Sequence, residues 1–195
     1  VIKAVVFDCF GVVVSDALQV IAEQLRASDA AAADELRDII QASNRGLIEP
    51  QLASSQVADI LGVSYEQYRQ QIADGEIKNQ ELLEYIAAGL RPRYKTALLS
   101  NIGAGSLARR FEAAELERYF DVVVASGDIG FAKPEARAYE ITAERLGVRL
   151  DECVFTDDRD GYCEGAQAVG MHAILFESNL QFRRDLEALL SRFGA

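Results

Sequence analysis

Four short stretches of the chain hold residue types that could do chemistry together. An apolar run, Ala4-Val5-Val6-Phe7, ends on Asp8; a second, Tyr94–Leu99, ends on Ser100-Asn101. Lys133-Pro134 follows the run Val122–Ala125, and Cys153–Thr156 leads into Asp157-Asp158. A carboxylate can attack an electrophilic centre or hold a hard cation. A hydroxyl, an amide and an ammonium can stabilise developing negative charge on oxygen. Taken singly each signal has an ordinary reading, since Asp, Ser and Asn favour turns and caps and most lysines are solvated. Their occurrence in sequence, each just beyond an apolar run, points to one shared site.

The elements that must position them follow from the pattern of apolar runs. Lys3–Phe7, Tyr94–Leu99, Val122–Ala125, Cys153–Thr156 and Ala173–Phe176 read as strands. From the second onward they alternate with segments of helical character: Ala104–Leu116, Glu135–Leu146 and Gly161–Val169. Continuous apolar strands alternating with helices predict a parallel sheet buried on both faces. Ligands of such sheets bind beyond the carboxyl ends of the strands, near the topological switch point, which is where the polar residues fall. Strand one is therefore expected at the centre, between the strands that end at Ser100 and Asp158.

Residues 15–90 differ. Apolar residues there recur at helical spacing, as in Leu18-Ile21-Ala22-Leu25 and Leu36-Ile39-Ile40, without a strand. The stretch predicts a helical cap inserted after the first strand, with breaks near Asn44-Arg45-Gly46 and Glu49-Pro50. The expected organisation is an α/β core over 1–14 and 91–195, carrying a Rossmann-like five-stranded parallel sheet, with a cap over 15–90.

Charge and composition narrow the partners. The 195 residues carry 20 basic and 31 acidic side chains, a net charge of -11. That argues against nucleic acid and against an anionic membrane surface, although a local site can invert the global field. No apolar run reaches the roughly 20 residues of a membrane span, and the start of the sequence does not read as a signal peptide. Cys9, Cys153 and Cys163 lack metal-site spacing and read as reduced core thiols, which suggests a cytoplasmic protein. His172, the sole histidine, precludes any histidine-based metal cluster and reads as structural.

"VVFDCFGVV", "ALLSN", "GFAKPEARAYEITAERLGV" and "CVFTDDRDGYCEGAQAVGM" stand in the order and spacing of the haloacid dehalogenase superfamily, which the chain resembles over nearly its whole length. The resemblance is to the branch with a helical cap after the first strand, and within it to small bacterial sugar phosphatases acting on glucose 1-phosphate. It implies Asp8 as nucleophile, forming an aspartyl-phosphate that water hydrolyses. It further implies Ser100 and Asn101 as phosphate-binding residues, Lys133 as the balancing cation, and Mg²⁺ held by Asp8, Asp158 and the Phe10 carbonyl. Asp157 falls in a supporting position behind the metal. Charge counting agrees, because three carboxylates against one ammonium leave an excess that a divalent cation offsets. The implied partner is a small phosphorylated metabolite. Arg45, Glu49 and Tyr65 are candidates for contacts from the cap, Arg45 facing a second anionic group.

The sequence departs from the family's phosphatases at three positions. Phe10 stands where an Asp usually protonates the leaving oxygen, Val12 replaces a Thr, and Tyr162 replaces an Asp or Asn. Three readings follow: a phosphatase lacking its general acid, a metal-independent 2-haloacid dehalogenase, or a non-catalytic ligand-binding protein. Dehalogenases of the family carry an aromatic residue at the Phe10 position but neutral residues where Asp157 and Asp158 stand. The acidic pair favours phosphate.

Overall fold

The computed structural model describes residues 1–193. Its five strands, β1 (Ala4–Phe7), β2 (Lys95–Ser100), β3 (Val122–Ala125), β4 (Cys153–Asp157) and β5 (His172–Leu175), form one sheet in the order β3-β2-β1-β4-β5. All four pairings are parallel. Strand β1 is central, as expected, and its register sets Phe7 beside Leu98 on one side and Thr156 on the other. The residues following these three positions therefore emerge side by side.

Alternation along each strand explains why the runs are apolar throughout. Val5 and Phe7 of β1 pack with Leu98 and Val154 on one face of the sheet. That face is covered by α5 (Gln80–Tyr85), a π-helical turn at Ile86–Leu90, and α10 (Asn179–Phe193). Ala4 and Val6 point the opposite way, joining Ala97, Leu99 and Phe155 beneath α8 (Ala136–Leu146) and α9 (Asp160–Ala168). Successive strand side chains face opposite sides, so a sheet covered on both faces needs apolar residues at every position. Full burial of Phe7 or Leu98 stabilises the fold by about 1.5–3 kcal/mol each.

Between β1 and β2 lie α1 (Ala17–Ser28), α2 (Ala30–Asn44), α3 (Pro50–Leu61) and α4 (Tyr65–Gly75). They close their own apolar cluster, built on Leu36, Val57, Ala58 and Tyr68, apart from both faces of the sheet. Their ends obey local rules. Asp16 and Asp29 side chains accept from the first-turn amides of α1 and α2, Pro50 opens α3, and Ser64 with Gln67 forms a capping box on α4. Residues 80–90, within the stretch read from sequence as cap, pack instead in the sheet's cluster through Leu82, Leu83, Ile86 and Leu90. The connections into and out of α1–α4 are tied together: Ser15 Oγ donates to the Gly75 carbonyl at 2.6 Å and accepts from the Ile77 amide at 2.7 Å.

Three segments differ from their sequence assignments. The stretch Ala104–Leu116 is not one helix but a 3-10 turn at Ser106–Arg109 followed by α6 (Ala113–Tyr119). The loop after β3 begins with a single turn, α7 (Ser126–Ile129), and β5 starts one residue earlier than its apolar run. Among the described residues no helix is long and apolar enough to cross a membrane.

Candidate active site

Asp8, immediately beyond β1, is buried, and so are Ser100 and Asp157 at the ends of β2 and β4. Lys133, from the loop between α7 and α8, reaches into this row with a side chain wholly shielded from solvent. Its Nζ donates to Asp8 Oδ1 and to Asp157 Oδ2, both at 2.6 Å. A buried ammonium is tolerated only when paired, and here it is paired twice. Asn101 fixes the loop that delivers it: the Lys133 amide donates to Asn101 Oδ1 at 2.8 Å, and Asn101 Nδ2 donates to the Lys133 carbonyl at 2.9 Å. The residue read as a phosphate ligand thus also positions Lys133.

Asp157 has both carboxylate oxygens engaged, one by Lys133 and the other by the Arg159 amide at 3.0 Å. Asp158 differs: its Oδ1 is buried and has no hydrogen-bond partner among the described residues. Carboxylate oxygens of Asp8, Asp157 and Asp158 lie within 4.8 Å of one another. Ser100 Oγ, also buried, likewise lacks a partner. Buried polar atoms are nearly always satisfied, so an unpaired Asp158 oxygen clustered with two further acids, and an unpaired Ser100 hydroxyl at a neighbouring strand end, mark a place suited to a ligand. The donor set is all oxygen, which suits a hard cation such as Mg²⁺.

Electrostatics reflect the crowding. Burial, reinforced by the neighbouring Asp157 charge, pushes the Asp8 carboxyl up to about 7 despite Lys133. Burial and Asp157 together push Asp158 up to about 6. Burial by itself would lower the Lys133 ammonium, but Asp8 and Asp157 outweigh it and hold it above the usual range. Desolvation is thus a larger cause than the like-charge repulsion read from sequence. Cys9, beside the nucleophile candidate, is buried and shifted strongly upward by the same desolvation, which makes it an inert core thiol.

Gly11 shows how closely the elements converge. Its φ is +88°, and a Cβ there would lie 2.3 Å from Asp158 Oδ2. Only glycine permits both the left-handed backbone and that approach.

Above the strand ends lies a cavity of about 590 Å³, with Asp8, Phe10, Asn101 and Lys133 on one side and Leu18, Leu36, Ile40 and Tyr68 of the inserted helices on the other. Ser100, Asp157 and Asp158 do not line it. Arg45 does, although its guanidinium is paired with Glu135 at 3.0 Å and about half exposed. Glu49 and Tyr65 do not: Glu49 is the residue preceding α3, and Tyr65 opens α4 under Arg69. Tyr162 packs its ring 5.0 Å from Lys133 Nζ and places its hydroxyl 3.3 Å from Asn101 Nδ2. It supports the lysine by contact where an acid would have done so by charge. Sequence reasoning missed Arg110 and Glu76, which also face the cavity. They lie 34 positions apart and meet only through folding.

Residues 2–170 match the haloacid dehalogenase-like hydrolase family. The chain belongs to that family. It is 40% identical over 102 residues to a phosphatase of Mycobacterium tuberculosis, covering 52% of this chain and 47% of that protein. It is 30% identical over 81 residues to (S)-2-haloacid dehalogenase 4A of Burkholderia cepacia, covering 42% of this chain and 35% of the other. The chain thus spans about half or less of the length of these relatives. Among solved structures, a HAD family enzyme of Bacteroides thetaiotaomicron superposes with a TM-score of 0.77 at 22% identity, over 95% of this chain and 98% of that one. The same enzyme has been solved in complex with magnesium and inorganic phosphate. At that identity the likeness establishes the fold. Since relatives include both a phosphatase and a dehalogenase, the choice between them rests on the site.

Proposed function

We propose that the protein is a Mg²⁺-dependent phosphatase of a small phosphorylated metabolite, a sugar phosphate being the class implied by the sequence, with α1–α4 acting as its cap. The observation that carries this reading is the cluster of Asp8, Asp157 and Asp158 around one buried ammonium. Such an excess of negative charge is poorly suited to a metal-free site for an anionic haloacid. A divalent cation and a phosphoryl group suit it well.

Asp8 and Asp158 would hold Mg²⁺ with the Phe10 carbonyl, while Asp157, committed to Lys133 and the Arg159 amide, positions the lysine. When bound, the cation offsets carboxylate charge and stabilises negative charge on the phosphoryl oxygens. Lys133 fixes Asp8 through Oδ1, orienting the carboxylate for attack. Attack by an Asp8 oxygen forms an O–P bond as the ester P–O bond breaks, leaving an aspartyl-phosphate for water to hydrolyse. Lys133 would neutralise charge on the phosphoryl oxygens as it builds, and the Ser100 hydroxyl would donate a hydrogen bond to one of them.

The test is a screen of purified protein against phosphorylated metabolites and 4-nitrophenyl phosphate, with Mg²⁺ and with chelator. Turnover that needs Mg²⁺ and disappears in Asp8→Asn, with melting temperature retained, is the expected result. Halide release from a 2-haloacid that survives chelation would instead establish the dehalogenase reading, for which Phe10 speaks. Binding of phosphate without turnover would establish a ligand-binding protein.

A further inference from the structure

Phe10 cannot protonate a departing oxygen, yet the structure sets a charged group directly against it. The Arg110 guanidinium lies 5.0 Å from the Phe10 ring centroid and faces the same cavity as Asp8 and Lys133. It comes from the segment between the 3-10 turn and α6, far in sequence from the β1 end. Three contacts hold it. Nη2 donates to Glu76 Oε1 at 2.5 Å, Nη1 donates to the Ser106 carbonyl at 3.1 Å, and the guanidinium carbon sits over the Phe10 ring. The Arg110 and Glu76 side chains are 19% and 9% exposed, so the pair is largely withdrawn from screening by water. Glu76 follows α4, where Ser15 ties the two connections of the inserted helices together, and this anchors the arginine's partner.

We propose that Arg110 supplies by charge what Phe10 cannot supply by proton transfer: its guanidinium stabilises the oxygen that departs from phosphorus. The assignment rests on the phosphatase reading above. An arginine carries five N–H donors in a rigid fork, and the Glu76 and Ser106 contacts leave others uncommitted. As the ester P–O bond breaks, its electron pair passes to the departing oxygen, and the developing anion lies against a cation that stays protonated throughout. The proton is taken afterwards from water. Stacking on Phe10 and pairing with Glu76 preorganise the group, so no reorganisation is needed at the moment of bond cleavage. An aromatic residue at position 10 is then a platform for the arginine. The substrates that depend most on Arg110 are esters whose leaving fragment departs as a basic oxygen anion, such as those of simple alcohols.

The experiment measures kcat/KM for a series of phosphate monoesters, from 4-nitrophenyl phosphate to simple alkyl phosphates, in the parent protein, Arg110→Gln and Arg110→Lys. The expected result is a loss of about 10²–10³-fold on alkyl esters in Arg110→Gln, the scale of losing one oxyanion donor. Loss on 4-nitrophenyl phosphate should stay within about tenfold, because that leaving group needs little help. Arg110→Lys should recover part of the alkyl activity, and inhibition by inorganic phosphate should be unchanged in both variants. Equal losses across the series in folded variants, or none, would overturn the assignment while leaving the phosphatase reading standing. Should Arg110→Gln fail to fold, Arg110→Lys carries the same comparison through its slope against leaving-group basicity. No Mg²⁺-dependent turnover of any ester by the parent protein would overturn both.

Discussion

Phe10 is partly buried and packed against the core cluster, and it supports Arg110 on its outer face. A phosphatase built this way should favour good leaving groups, with aryl and anomeric phosphates reacting faster than alkyl ones. Phe10→Asp should narrow that gap, raising alkyl phosphate turnover about tenfold or more, toward the range expected for a general acid. Kinetics on paired aryl and alkyl esters check this, alongside a melting curve, because an acid placed against the core is costly unless Arg110 pairs with it. A folded variant with an unchanged gap would refute the idea that the missing carboxylate limits the rate.

At the scale of elements, the site depends on how tightly the turn after β1 meets the end of β4. Gly11 is the point of closest approach, and the left-handed backbone there costs a residue with a Cβ about 1–2 kcal/mol in addition to any clash. Gly11→Ala should therefore destabilise the protein by about 2 kcal/mol or more and displace Asp158. Chemical denaturation measures the first effect and a Mg²⁺ titration of melting temperature the second. A variant with unaltered stability and unaltered Mg²⁺ response would mean that the contact between Gly11 and Asp158 is not maintained in solution.

For the whole molecule the carboxylate cluster couples stability to pH and to metal. Asp8 is pushed up to about 7 and Asp158 to about 6 in the folded chain, above their ordinary value of 3.8. Between pH 4 and 7 the folded state thus holds protons that the unfolded state has lost. By linkage, these groups make the metal-free protein less stable as pH rises through that window. Mg²⁺ held as proposed would need ionised ligands and would bind the folded state, so its benefit would have the opposite dependence. At 100 times its dissociation constant it adds about 2.7 kcal/mol, or about 5–10 °C for a chain of this size. Melting curves with Mg²⁺ and with chelator should diverge from pH 5 to pH 8. A Mg²⁺ shift of equal size at both ends would contradict the proposed ligands.

The strands, the central place of β1 and the approach of Lys133 and Asp158 to Asp8 were legible in the sequence. Burial on both sheet faces forces continuous apolar runs, and parallel strands deliver the residues after them to one edge. Helical periodicity likewise marked the inserted helices, although it could not separate residues 80–90 from them, since either neighbour would bury the same apolar stripe. Only the tertiary structure decided which groups satisfy one another. Lys133 between two acids, Asn101 clasping the Lys133 backbone, and Arg110 on Phe10 against Glu76 are pairings across long stretches of chain. Neither periodicity nor spacing encodes them. They depend on the depth at which each loop settles over the sheet, because burial makes an unpaired charge intolerable and leaves it to the nearest opposite group to answer it.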